Sequence, residues 1–199
     1  ANTDWQDEIF RNTVSSQHNI SMQGSLFKAI PTRFSFGTTN QEGAIITSEF
    51  ERRNLGLALN PSLFDDHLKI NLNANLAFED NRFGNNVGGA LRYDPTQPVY
   101  DPSSPFGGFY QHRNGTVVAN SSSNPVASLL QNNNTGDSNR AYGNLNFDYK
   151  FHFLPELRAV LNIGFDETEA KTINISSTLV PTNDVVKGNS NTHFISRFF

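Results

Sequence analysis

The chain has 199 residues, a net charge of −4, 36% hydrophobic and 17% charged residues, and no cysteine. That size suits one sizeable domain, and the mild acidity offers no electrostatic footprint for nucleic acid. Without thiols there are no disulfides, cysteine nucleophiles or cysteine-held metals, and no run approaches the roughly 18 apolar residues of a membrane helix.

The first strand is expected over about residues 17–25 and the second over 33–39, where Phe34, Phe36 and Thr38 alternate with Ser35 and Gly37. The segment 41–44 reads as a turn into a third strand, in which Leu55, Leu57 and Leu59 face opposite to Asn54, Gly56 and Ala58. Pro61 has no N–H to donate and stops that ladder, so 61–67 becomes a turn. From Leu68 to Asp80 the alternation is longest: Leu68, Ile70, Leu72, Ala74, Leu76 and Phe78 take one face, while Lys69, Asn71, Asn73, Asn75 and Glu79 take the other. Side chains in a strand alternate with period two, so this ribbon has a greasy side and an amide-rich side. Such a ribbon suits a wall between lipid and water, and alternation hides the hydrophobicity of such a wall from any averaged score.

The pattern then collapses over about 81–138, a length that marks function or disorder rather than an ordinary connection. Within it, 87–93 and 125–131 each have the makings of a short helix. Strand pattern resumes near Asn139, with Leu145, Phe147, Tyr149 and Phe151 against Asn144, Asn146, Asp148 and Lys150. A turn at 153–156 leads to Leu157, Ala159, Leu161, Ile163 and Phe165 on one face of the next strand. A second polar connection spans about 172–192 before a last apolar-rich strand, 193–199. Tight turns and long loops alternate, as in outer-membrane barrels. The turns at Phe64 and Phe153 match each other, each with an aromatic residue four positions before the Leu that opens the next strand. That placement suits an aromatic girdle, although any hairpin can carry a Phe near its turn. Ala1 is not an initiator Met and no signal peptide is visible, so the chain is expected to be a piece of something longer.

Five segments in order carry a family resemblance: Thr3-Asp4-Trp5-Gln6-Asp7-Glu8-Ile9-Phe10-Arg11, His18-Asn19-Ile20-Ser21-Met22-Gln23-Gly24, Thr39-Asn40-Gln41-Glu42-Gly43, Asp94-Pro95-Thr96-Gln97-Pro98-Val99-Tyr100-Asp101 and Asn146-Phe147-Asp148-Tyr149-Lys150. Together they resemble the early barrel region of SusC/RagA-type TonB-linked outer-membrane transporters of the Bacteroidetes. The resemblance implies an all-β fold of antiparallel up-and-down strands. Residues 1–199 would form an arc of six or seven strands from a large transmembrane barrel of roughly 22 strands, with the plug domain absent. It further implies nutrient import, with glycan or peptide cargo, a SusD-like surface lipoprotein over the mouth, outer-membrane lipid around the wall, and TonB acting through regions outside this chain. An isolated arc has two unpaired edges and is expected to aggregate rather than remain a stable monomer.

Catalysis finds little support. His18, His67, His112, His152 and His193 are scattered, and Asp65, Asp66, Asp166, Glu167 and Glu169 read as solvated turn and strand ends. No nucleophile elbow, phosphate loop or dinucleotide fingerprint occurs, and no cofactor is implied. Sequons at Asn19, Asn114, Asn120, Asn133 and Asn174 are what an Asn-rich chain produces by chance. The best candidates for ligand contact are Tyr93, Tyr100, Phe106, Phe109, Tyr110 and Gln111 in the long loop, with Trp5 beside them in role. Rings with adjacent amides suit sugar stacking and hydroxyl pairing. The same rings could instead pack the loop onto itself, onto the plug or against the lipoprotein. Phe199 has the look of a barrel's terminal aromatic. A soluble β-sandwich carbohydrate-binding module is the alternative reading, since its strands would also alternate.

Overall fold

A computed structural model describes residues 1–114, 117–118, 123–180 and 189–198. Seven long or medium strands form one antiparallel sheet: β1 (Ser15–Leu26), β2 (Ile30–Glu42), β3 (Glu49–Leu59), β5 (Leu68–Arg82), β8 (Asn132–Phe151), β9 (Leu154–Ser176) and β10 (Asn189–Phe198). They lie side by side in chain order, with the two-residue β4 (Ser62–Leu63) paired to β5. A separate small ribbon pairs β6 (Arg113–Asn114) with β7 (Val117–Val118). The sheet is open, with β1 at one edge and β10 at the other.

Register turns the alternation into two surfaces. Neighbouring partners run Met22, Phe34, Leu57, Ala74, Gly143 and Phe165 across one row, and Leu59, Leu72, Leu145 and Ile163 across the next. On this face every side chain from Leu68 to Phe78 in β5, from Ala141 to Phe151 in β8 and from Leu157 to Phe165 in β9 is apolar or aromatic. Charge begins just beyond, at Arg53, Asp80 and Glu167. Ten residue steps from Leu68 to Phe78 cover about 33 Å along the strand. Tilted at about 40°, that is an apolar band about 25 Å tall, the height of the hydrocarbon-facing zone of an outer-membrane barrel. Ile70, Leu72, Phe147 and Ile163, which a sandwich would seal in its core, all lie on this uncovered face. Ile163 is 48% exposed, and Ile70, Leu72 and Phe147 are only half-buried. Among the described residues no second sheet covers it, which rules out the sandwich.

The two ends of the sheet differ. At one end β1–β2, β3–β5 and β8–β9 are joined by short turns, of which the first two are built on left-handed backbone: Phe27 and Lys28 in the first, Phe64, Asp65 and Asp66 in the second. Two consecutive residues with positive φ give the turn whose twist matches paired strands, a role usually left to Asn-Gly. Phe27, Phe64 and Phe153 project from these turns at 83%, 64% and 79% exposure, so the expected girdle pair gains a third ring. At the other end the 43–48 connection, the long 83–131 connection and the chain's first eleven residues gather together. The buried core sits there and not in the sheet: Trp5, Ile9, Ala90, Tyr93, Val99, Val126 and Leu129.

Several boundaries move: β2 starts at Ile30 and β10 at Asn189, three and four residues early. β8 starts at Asn132, seven residues before the alternation becomes visible, and β9 continues to Ser176 rather than stopping near 171. Above the apolar band both faces meet water, so the strand loses its two-sided signature while keeping its ladder. The expected turn at 153–156 tightens, because Phe151 pairs with Leu154 and the irregularity is taken up by a register shift between Lys150 and Phe151. The helix expected over 125–131 is α3 (Pro125–Gln131), that over 87–93 shortens to α2 (Val87–Ala90), and α1 (Trp5–Ile9) was not anticipated. Phe199, the Asn120 sequon and residues 181–188 of the second long connection lie outside the described residues.

Placing an Arg at Leu72, near the centre of the apolar band, is expected to cost about 2–4 kcal/mol, whereas Arg at the adjacent Asn73, on the opposite face, is expected to be nearly neutral. Denaturant unfolding of the full-length receptor in detergent micelles, comparing the two variants, checks this.

Candidate functional site

The loop end is built as a dome from three chain segments. Asp4 caps α1 by accepting from the N–H groups of Gln6 and Asp7 at 3.0 and 3.3 Å, which starts the helix where the chain must turn inward. That helix buries Trp5 and Ile9. The Trp5 indole N–H donates to the Asp94 carbonyl at 2.9 Å, and the Trp5 ring meets Tyr93 edge-on at 4.6 Å. Thr3 binds the same stretch twice, from N to the Pro95 carbonyl at 2.8 Å and from its hydroxyl to the Gln97 carbonyl at 2.6 Å. On its other side the segment holds the 43–48 connection. The Ile46 N–H donates to Ile9 at 2.9 Å, and the Arg11 guanidinium donates to the carbonyls of Gly43 and Ser48.

Asn124 is the node of the dome. Fully buried, it donates its amide to the carbonyls of Val99 and Tyr110 at 2.9 and 3.0 Å, and its oxygen caps α3 at the N–H groups of Val126 and Ala127. Its backbone N–H donates to the Gln111 side-chain oxygen at 3.0 Å. One side chain thereby ties α3 to both limbs of the 99–110 hairpin. A buried amide with its donors and acceptor all engaged fixes one arrangement, since any displacement strands several polar groups at once.

The seven candidate residues separate into two groups. Trp5, Tyr93 and Gln111 are buried, at 3%, 5% and 3% exposure, and Tyr110 is half-buried, its hydroxyl 3.4 Å from the His112 ring. Burial, helped by nearby Tyr110 and Asp94, pushes the Tyr93 phenol up to about 12, so it stays neutral. Tyr100, Phe106 and Phe109 instead mark the tip of the hairpin. Tyr100 pairs with Phe109, their ring centroids 5.3 Å apart, and Tyr100 is 59% exposed. Gly107 and Gly108, both at positive φ, close this tip, and the Gln131 amide donates to the Phe106 carbonyl at 2.9 Å. The dome residues that sequence reasoning missed are Asn124, Ile9 and α1; Asp4 followed by acidic Asp7 and Glu8 was the legible start signal.

The polar face of the sheet is the second candidate surface. Asn71, Asn146 and Asn162 form an amide ladder across β5, β8 and β9. Ion pairs Arg52–Glu79, Arg140–Asp166 and Arg158–Asp148 lie along the same face. A hollow of about 640 Å³ on it runs across β1, β2, β3, β5 and β8 to Thr168 of β9. Among the described residues no three His, Asp or Glu side chains converge as metal ligands.

No protein-family model matches the chain. It is 43% identical over 194 residues to the TonB-dependent receptor SusC of Bacteroides thetaiotaomicron, a match covering 89% of this chain and 19% of that protein. It is 28% identical over 173 residues to the TonB-dependent receptor P26 of Formosa agariphila, covering 84% of this chain and 16% of that one. Among solved structures, the RagAB peptide importer in its closed-closed state superposes with a TM-score of 0.70 at 20% identity, covering 99% of this chain and 22% of that one. Its open-open state gives 0.65 at 19% identity. The chain thus spans about a fifth or less of the length of the curated relatives it matches. An open, single-layer arc with a 25 Å apolar face defines a stretch of outer-membrane barrel wall. The chain belongs to the SusC/RagA type of TonB-dependent outer-membrane receptors, which are not enzymes.

Replacing Asn124 by Ala removes four side-chain hydrogen bonds and leaves their buried partners unpaired, which is expected to lower the opening free energy of the dome by about 3 kcal/mol. Amide hydrogen exchange of residues 99–111 in the full-length receptor should then accelerate roughly 100-fold while β5 is unchanged. Asp94 gives a pH prediction. Hydrogen bonds from the Thr96 N–H and hydroxyl and from the Gln97 amide hold its carboxyl below the ordinary 3.8. A carboxyl depressed by folding stabilises above its unfolded value and loses that contribution as pH falls through the folded one. Protection of the Thr96 and Gln97 amides, taken relative to an unstructured chain at the same pH, is therefore expected to fall as the pH drops below 3.8, and Asp94→Asn should remove this acid dependence.

Proposed function

We propose that residues 1–199 form one partial barrel domain of an outer-membrane importer of glycans, with the plug, the TonB-contacting region and the remaining wall supplied by the rest of the protein. The observation that carries the reading is the two-sidedness of the wall: a hydrocarbon-height apolar face backed by amides and ion pairs. Lipid meets the first face. Cargo passes along the second, driven by energy relayed from TonB. A SusD-like surface lipoprotein covers the dome end, where the exposed Tyr100, with Phe106 and Phe109, offers rings for the lid or for sugar. Trp5, Tyr93, Tyr110 and Gln111 hold those rings in place from beneath.

Glycan is favoured over peptide because of what the inner wall offers. An extended peptide is bound most economically by adding a strand to a free sheet edge. From β2 to β9 the backbone is already paired on both sides, leaving a face on which amides, hydroxyls and paired charges outnumber the cations Arg33 and Lys69, a mix that matches sugar hydroxyls. Peptide cargo, the alternative, is suggested by the RagAB neighbours, whose 20% identity speaks to fold.

Deleting the full-length receptor in its host is expected to abolish uptake of one class of oligosaccharide, and affinity purification of the tagged receptor should bring down a surface lipoprotein. Undiminished oligosaccharide uptake with no lipoprotein recovered would refute the proposal. Tyr100→Ala with Phe109→Ala is expected to weaken lipoprotein recovery or oligosaccharide affinity about tenfold, the scale of one lost aromatic anchor.

A further inference from the structure

The hollow on the polar face has a particular construction. Its floor is made by Gly37 and Gly56 on adjacent strands, two residues apart in register and so on the same face. A Cβ at Gly37 would stand 2.6 Å from the Asn19 side-chain oxygen, and one at Gly56 would stand 2.5 Å from the Ser35 hydroxyl and 3.2 Å from the Asn75 oxygen. Because neither glycine has a side chain, these three polar groups lie down across the wall instead of standing out from it. The result is a shallow recess whose floor is hydrogen-bonding atoms rather than hydrocarbon.

Its height in the wall is equally informative. The lining residues Asn54, Asn75 and Tyr142 sit within two or three positions of Arg53, Phe78 and Asn139, where the outer face changes from apolar to polar. The recess therefore opens at the level of the outer membrane boundary, directly below the dome. Arg52 and Arg140 border it, each held by a carboxylate, Glu79 and Asp166, and the Arg140 guanidinium covers the Tyr142 ring at 4.8 Å. The charges of Arg52 and Arg140 are matched along this rim, Arg33 adds a cation on the side toward the membrane centre, and Asn, Ser and Thr groups that both donate and accept make up the rest of the polar lining.

We infer that this glycine-floored recess is a saccharide contact site on the barrel wall, taking one or two neutral sugar units of the passing cargo. The inference rests on the proposed glycan import and adds its location and chemistry. A sugar ring is edged with hydroxyls that donate and accept, and the flattened amides of Asn19 and Asn75 with the Ser35 hydroxyl present the complementary pattern at close range. The 640 Å³ volume accommodates such a unit with its water.

The test uses the full-length receptor in its own outer membrane, with uptake of a panel of neutral labelled hexasaccharides measured against concentration. Asn54→Leu with Asn75→Leu removes two amides from a water-facing surface, and Gly56→Ala independently lifts the floor. Each is expected to raise the half-saturating concentration of the transported hexasaccharide about tenfold, as losing one or two hydrogen bonds would. Receptor abundance and maximal rate should stay unchanged. An unaltered concentration dependence in both variants overturns the recess alone. If the unaltered receptor takes up no hexasaccharide but does take up a labelled peptide mixture, the glycan reading itself falls, and the recess with it.

Discussion

Lateral hydrogen bonding is the constraint on which this architecture rests. Within hydrocarbon no water can satisfy a backbone N–H or C=O, so each strand must be completed by its neighbours. From β2 through β9 that completion is continuous, which frees the side chains to specialise by face. The apolar row positions need only be lipid-soluble, and the opposite positions need only be wet. Neither face needs a packed core. The chain's buried residues consequently gather where the wall leaves the membrane, in the dome around Trp5, Ile9 and Asn124, because only there must loop backbone be held without a sheet.

The dome and the wall are different solutions to the same accounting. In the wall, register does the work, and individual side chains are replaceable within their class. In the dome, single residues carry several bonds each. Asn124 engages two carbonyls and two N–H groups, and Thr3, Trp5 and Arg11 bind carbonyls of segments more than thirty residues away. The outward rings at Tyr100 and Phe109 are thereby held on a rigid support.

Much of the wall was legible from residues alone, since period-two alternation in 68–80 and 144–151 survives into the register almost unchanged. The upper part of β8 was not, because residues 132–138 are polar on both faces and carry no alternation to read. α1 was missed for a different reason. Five residues are too few for helical periodicity, and the helix exists because Trp5 and Ile9 find partners about forty to ninety residues away. Aromatic content in the long loop pointed to the right region, yet sequence could not separate Trp5 and Tyr93, which are spent on packing, from Tyr100, which is presented to solvent.

The overhang of β8 and β9 carries the wall well beyond the apolar band. From Asn139 up to Asn132, and from Glu167 up to Ser176, the paired strands continue past the edge of the continuous apolar band by seven and nine residues. At about 3.3 Å per residue and the tilt of a barrel wall, this is a parapet about 15–25 Å high. A molecule lying along the membrane surface on this flank would meet that parapet broadside, before the concave polar face behind it.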